Sequence, residues 1–201
     1  MTQVAVTPGK TWPIRVGAEG IAAAQFARCG FDVLVQAGRD KPWYDLVVTR
    51  AGNLLKVSVK ASEDGQWSLT QGYSRRASET PGTKFDRRAA IDRWCDSHGS
   101  RTVCCLVQFE AVAIHELPRI YLALPHEIAA RMRDTADRLG ICALFEQYTW
   151  VPEDGSLRSE ALPSSWLFSQ TRIEELLQST SGAYSYPMKP ALVPREVALT
   201  A

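Results

Sequence analysis

Most of the motifs that announce a function are missing from this sequence. There is no GxxxxGK[ST] phosphate loop, no GxGxxG after an apolar strand, and no second histidine at HExxH spacing from His115. Those absences remove the NTPase, dinucleotide-binding and zinc-protease readings. The charges nearly cancel, at a formal +1, so overall basicity does not mark a polyanion binder and any such site has to be local. No apolar run approaches membrane-spanning length, and the opening residues lack the charged start and apolar stretch of a signal peptide. The five cysteines are odd in number and form no CxxC pair. Most lie in or beside apolar segments, as packed, reduced thiols do. The expectation is a cytoplasmic protein with no membrane partner.

What remains is the composition of an ordinary globular protein. The 201 residues are 45% hydrophobic and 22% charged, enough to bury one core. Pro8, Gly9 and Pro13 break up an N-terminal extension, 1–15. An alanine-rich helix over 16–28, ended by Gly30, carries Glu19 in its first turn, where a carboxylate suits the helix dipole. Residues 31–35 alternate as a strand, and 45–60 hold two apolar runs around Arg50-Ala51-Gly52-Asn53. Gly52 and Asn53 tolerate positive φ, so the pattern predicts a tight hairpin. Residues 66–70 extend the meander, and 84–98 form a helix with Thr83 as N-cap. Residues 102–109 are almost continuously apolar, as a strand buried on both faces should be. A strand over 119–124, a helix over 127–139 stopped by Gly140, a strand over 142–151 and a helix over 165–177 follow. The fold class is α/β of the α+β kind, with a mixed central sheet flanked by helices. The division is a core over 16–139, a C-terminal elaboration of the same domain over 140–178 and a tail over 179–201.

The hairpin sets an acid, Asp45, at the start of its first strand and Lys60 at the end of its second. Ser58 and Lys60 share parity, so their side chains emerge on one face. Ahead of them stand Gly17-Ala18-Glu19-Gly20 and Gly30-Phe31-Asp32-Val33. With Tyr44-Asp45-Leu46-Val47-Val48 and Val57-Ser58-Val59-Lys60, this order resembles the PD-(D/E)XK nuclease superfamily over residues 16–110. The nearest likeness is to Holliday-junction-resolvase-like enzymes and related homing endonucleases. The resemblance implies a restriction-endonuclease-like core and a metal-dependent DNA endonuclease using Mg²⁺ or Mn²⁺, working as a homodimer or higher oligomer. It implies Asp45 as the main metal carboxylate, Glu19 as a second and the carbonyl of Val59 as a third ligand. Lys60 would position the attacking water and meet the scissile phosphate.

Ser58 departs from the pattern, standing where the family carries its second acid. Either a carboxylate has migrated from elsewhere, with Glu63, Asp64, Glu79 and Asp86 as candidates, or the chain is a degenerate relative that binds nucleic acid or a protein without cutting. Arg75, Arg76, Lys84, Arg87, Arg88 and Arg93 crowd the region after the hairpin, where they either grip phosphates or form a solvated helix face. Trp67 and Tyr73 are either base-stacking or core aromatics. His98, near a helix end, His115 and His126 suggest no chemistry. Cys104 and Cys105 belong to the core.

Overall fold

A computed structural model describes residues 12–36, 44–74, 86–99 and 101–181. Its centre is a five-stranded mixed sheet. Strands β1 (Asp32–Val35), β2 (Leu46–Arg50) and β3 (Asn53–Ser62) form an antiparallel meander. Strand β5 (Thr102–Gln108) joins β3 in parallel, and β6 (Arg119–Ala123) returns antiparallel to β5. Every residue of β5 is buried, as its unbroken apolar run requires.

Two helical layers cover the sheet. Helix α1 (Trp12–Arg28) buries Ala18, Ala22 and Phe26, one residue per helical turn. They pack with Ile173, Leu176 and Leu177 of α5 (Gln170–Ser181) against Leu46, Val57, Val59 and Val103. On the opposite face, Ile91 and Trp94 of α3 (Arg87–Asp96, which follows the short helix α2, Gln71–Ser74) and Ile128 and Met132 of α4 (Pro125–Leu139) pack against Cys104 and Leu106. Ser58 and Lys60 pair with those last two residues in parallel register, so both side chains belong to the α3/α4 face. The parity expected from sequence therefore holds. All five cysteines are free, and complete burial pushes the Cys104 thiol up to about 12. Among the described residues, no helix is long and apolar enough to cross a membrane.

Several expectations need correction. Helix α1 starts at Trp12, not Val16, with Pro13 in its first turn, where a missing N–H matters little. Residues 12–15 are thus helical, and Glu19 lies beyond the first turn, so the helix dipole does not explain it. The N-cap of α3 is Asp86, whose carboxylate accepts from the Ala89 N–H at 3.0 Å; Thr83 lies outside the described residues. Residues 66–70 do not extend the meander. Instead β4 (Gln66–Trp67) pairs with β7 (Leu144–Phe145) in a separate ribbon. The single strand expected over 142–151 is split between β7 and β8 (Gln147–Trp150), and β8 pairs with β9 (Arg158–Ala161). Residues 164–166 form a 3₁₀ turn ahead of α5, which runs on to Ser181 and so into the segment expected to be tail.

The β2–β3 turn is also instructive. Arg50 pairs with Asn53, and the two residues between them, Ala51 (φ 50°) and Gly52 (φ 82°), carry the positive φ values. A side chain at Ala51 meets the left-handed penalty that asparagine bears more easily. Ala51→Asn is expected to stabilise the protein by about 0.5–1 kcal/mol. The check is a higher urea midpoint at unchanged m-value.

Candidate active site

The site begins with unequal strand lengths. Strand β2 covers β3 only as far as Val57, so the β2-side edge of β3 continues past its partner. Asp45, one residue before β2, closes that gap. Its N–H donates to the Val57 carbonyl at 2.8 Å, and its Oδ2 accepts the Val59 N–H at 2.7 Å. The carboxylate replaces a missing strand partner for a backbone donor that would otherwise be orphaned in the interior. This explains how Asp45 can be only 4% exposed. A strand residue presents its N–H and C=O on the same edge, so the Val59 carbonyl also leaves β3 on the Asp45 side.

Helix α1 contributes the second acid. Glu19 is buried beside the sheet, and Arg15, one turn earlier, joins the two acids. Its Nε donates to Glu19 Oε1 at 3.0 Å, and its Nη2 donates to Asp45 Oδ1 at 2.9 Å. Burial alone would lower the guanidinium's pKa, but the two carboxylates outweigh it and hold the pKa above its usual value.

Arg15 and Lys60 line a cleft of about 870 Å³ together with Glu63, Asp64, Tyr73 and His98. Of the candidate migrated acids, Glu63 and Asp64 reach this cleft. Asp64 is already bound by the Gln66 side-chain amide at 3.0 Å and the Ser62 hydroxyl at 3.2 Å, and the Gln66 bond leads in pulling its pKa down. Asp86 is committed to its helix cap, and Glu79 lies outside the described residues. No three acidic, histidine or cysteine side chains converge as a metal cluster among the described residues. Ser58 is buried on the α3/α4 side of β3.

Sequence reasoning passed over Arg15 and His98. The first was hidden by placing the helix start too late, although Arg15 and Glu19 stand at i,i+4 spacing. His98 follows α3, its ring centroid 4.8 Å from that of Trp94 and its Nδ1 2.8 Å from the Trp94 carbonyl oxygen. A carbonyl only accepts, so Nδ1 carries a proton in this contact. Burial lowers the His98 pKa, opposed by the Trp94 bond and assisted by the charge of Lys60. With a folded pKa below the unfolded value of about 6.5, the unfolded chain takes up its proton first as pH falls. Stability is therefore expected to fall as pH drops below about 6.5, and His98→Gln to flatten that slope in urea titrations at stepped pH.

The remaining aromatic and basic candidates divide. Trp67 is core: it is 2% exposed and donates its indole N–H to the Lys60 carbonyl at 3.1 Å. The Tyr73 hydroxyl donates to Ser97 Oγ at 2.7 Å. Arg87 is exposed on α3, but Arg88 is engaged with Asp137 of α4 at 3.0 Å through its Nε. Arg75, Arg76 and Lys84 lie outside the described residues.

No known family profile matches the chain, and no curated protein matches it. A bacterial homing endonuclease of solved structure matches 61% of this chain and 74% of its own at 19% identity, with a TM-score of 0.36. A similarity that distant identifies neither family nor activity.

Proposed function

We propose that this chain is a metal-dependent endonuclease of the PD-(D/E)XK type that hydrolyses phosphodiester bonds in DNA, working as a homodimer or higher oligomer. The observation that carries the reading is the junction of α1, β2 and β3. There Glu19 and Asp45 share one guanidinium, while Asp45 docks on Val59, the residue next to Lys60. Two carboxylates and the Val59 carbonyl are hard oxygen donors of the kind that Mg²⁺ and Mn²⁺ accept while keeping several waters. The fit is therefore one of donor chemistry, with Asp45, Glu19 and Val59 as holders. Bound there, the ion would supply an activated water and offset charge on the phosphoryl oxygens. Lys60 would orient that water and contact the scissile phosphate from the cleft wall. Ser58 adds no charge, which leaves Asp45 and Glu19 to supply the negative charge of the site.

One observation favours a second reading, a nuclease-fold protein that binds nucleic acid or a protein without cutting. The acids of the described residues outside the Asp45–Glu19 pair do not complete a metal cluster. Supercoiled plasmid incubated with Mg²⁺, Mn²⁺ or EDTA separates the two. Nicking that requires the ion and is lost in Asp45→Ala supports the nuclease. Retention of DNA at low salt without nicking supports the second reading. No binding and no nicking overturn both nucleic-acid readings.

A further inference from the structure

Two neighbouring carboxylates with little solvent need a compensating charge if both are to stay ionised. The Glu19 and Asp45 side chains are 11% and 5% exposed, and the guanidinium of Arg15 is placed on both. Helix geometry presets half of this arrangement, since Arg15 and Glu19 are i,i+4 neighbours. The other half joins residues 30 positions apart, one in α1 and one ahead of β2. Arg15 itself is 44% exposed and lines the cleft that Lys60 lines, so its side chain has solvent to move into.

We propose that Arg15 is the resident counter-ion of the Asp45–Glu19 pair, that a divalent cation binds by displacing it, and that the released guanidinium then serves the substrate phosphate in the cleft. This rests on the nuclease reading above. A guanidinium only donates, and it occupies Asp45 Oδ1 and Glu19 Oε1, oxygens that the cation would need. Once displaced, its planar fork suits a phosphate better than an ammonium does. Arg15 is thus a positioning residue in the free protein and a phosphate contact in the loaded one.

Direct Mn²⁺ binding to the full chain, read by electron paramagnetic resonance of the free ion, tests this without relying on cutting. Arg15→Gln removes the charge at similar length and is expected to bind Mn²⁺ about tenfold more tightly than the native protein. Without metal it should melt lower, and it should gain more in melting temperature on adding Mn²⁺. Arg15→Lys keeps a charge without the fork; its Mn²⁺ affinity should stay near native while cutting at saturating metal slows. If Arg15→Gln is unfolded without metal, the Arg15→Lys pair of measurements decides alone: tenfold tighter binding, or unchanged cutting, overturns the proposal. Equal or weaker Mn²⁺ binding by Arg15→Gln also overturns it, while metal-dependent nicking by the native chain leaves the nuclease reading standing. No Mn²⁺ binding by either protein at millimolar concentration removes the metal-dependent reading and this inference with it.

Discussion

Lys60→Ala is expected to slow metal-dependent plasmid nicking by about 10²–10³-fold while leaving the fold nearly as stable as before. The size follows from what the side chain is asked to do. Loss of one preorganised donor aimed at charge developing in the transition state removes about 3–4 kcal/mol of stabilisation. Lys60 lies two residues before the end of β3 and pairs with Leu106 of β5, so its position is set by the sheet rather than by a loop. The stability half follows from the hydrogen bonds. The local contact at this residue is the Trp67 indole donating to the Lys60 carbonyl, and alanine keeps that carbonyl. Initial nicking rates and melting temperatures for native, Lys60→Ala and Lys60→Arg proteins check both halves. Arginine should recover part of the rate, because it restores the charge with a different reach. Equal nicking by the native protein, Lys60→Ala and Asp45→Ala would assign the activity to a contaminant and end the enzyme claim.

The hairpin was legible because its signals are local. Apolar runs of strand length flank a turn with glycine in it, and a period of two puts Ser58 and Lys60 on one face whatever the rest of the chain does. Even there, Ala51 rather than Asn53 carries positive φ beside Gly52, since strand pairing at Arg50 and Asn53 decides which residues form the turn. Features set by distant partners were hidden. Ribbon β4 is two residues long and exists because Leu144 and Phe145 come to pair with it. The His98 pKa is lowered by burial and by the charge of Lys60, which the α3 crossover brings near. Arg88 read as a free charge because Asp137, its partner, lies on α4. Arg15 is a different case. Its partner Glu19 was in plain view four residues on, and a late helix start alone hid the pair.

The C-terminal helix offers the second large effect, since Arg172→Met is expected to destabilise the protein by about 3 kcal/mol. Arg172 sits in α5 with its side chain 10% exposed, and it connects three elements. Its Nε donates to the Leu122 carbonyl of β6 at 3.1 Å, Nη2 pairs with Glu127 of α4 at 2.5 Å, and Nη1 reaches Glu175 at 3.3 Å. Glu127 simultaneously accepts the Leu124 N–H at 2.6 Å, closing the start of α4. Methionine fills much of the volume but leaves a buried carbonyl without this donor and Glu127 without its counter-charge. For a chain of this size the loss corresponds to a fall of about 6–12 °C in melting temperature. Pairing it with Glu127→Gln should recover part of the loss, as the remaining uncompensated charge is then removed. The same change tests how the C-terminal residues relate to the site. Helix α5 supplies Ile173, Leu176 and Leu177 to the cluster that seats α1, and α1 carries Arg15 and Glu19. Loosening α5 should therefore lower nicking as well as stability, in proportion to the folded fraction at the assay temperature. A loss of nicking at full folding would mean instead that α5 positions α1 directly.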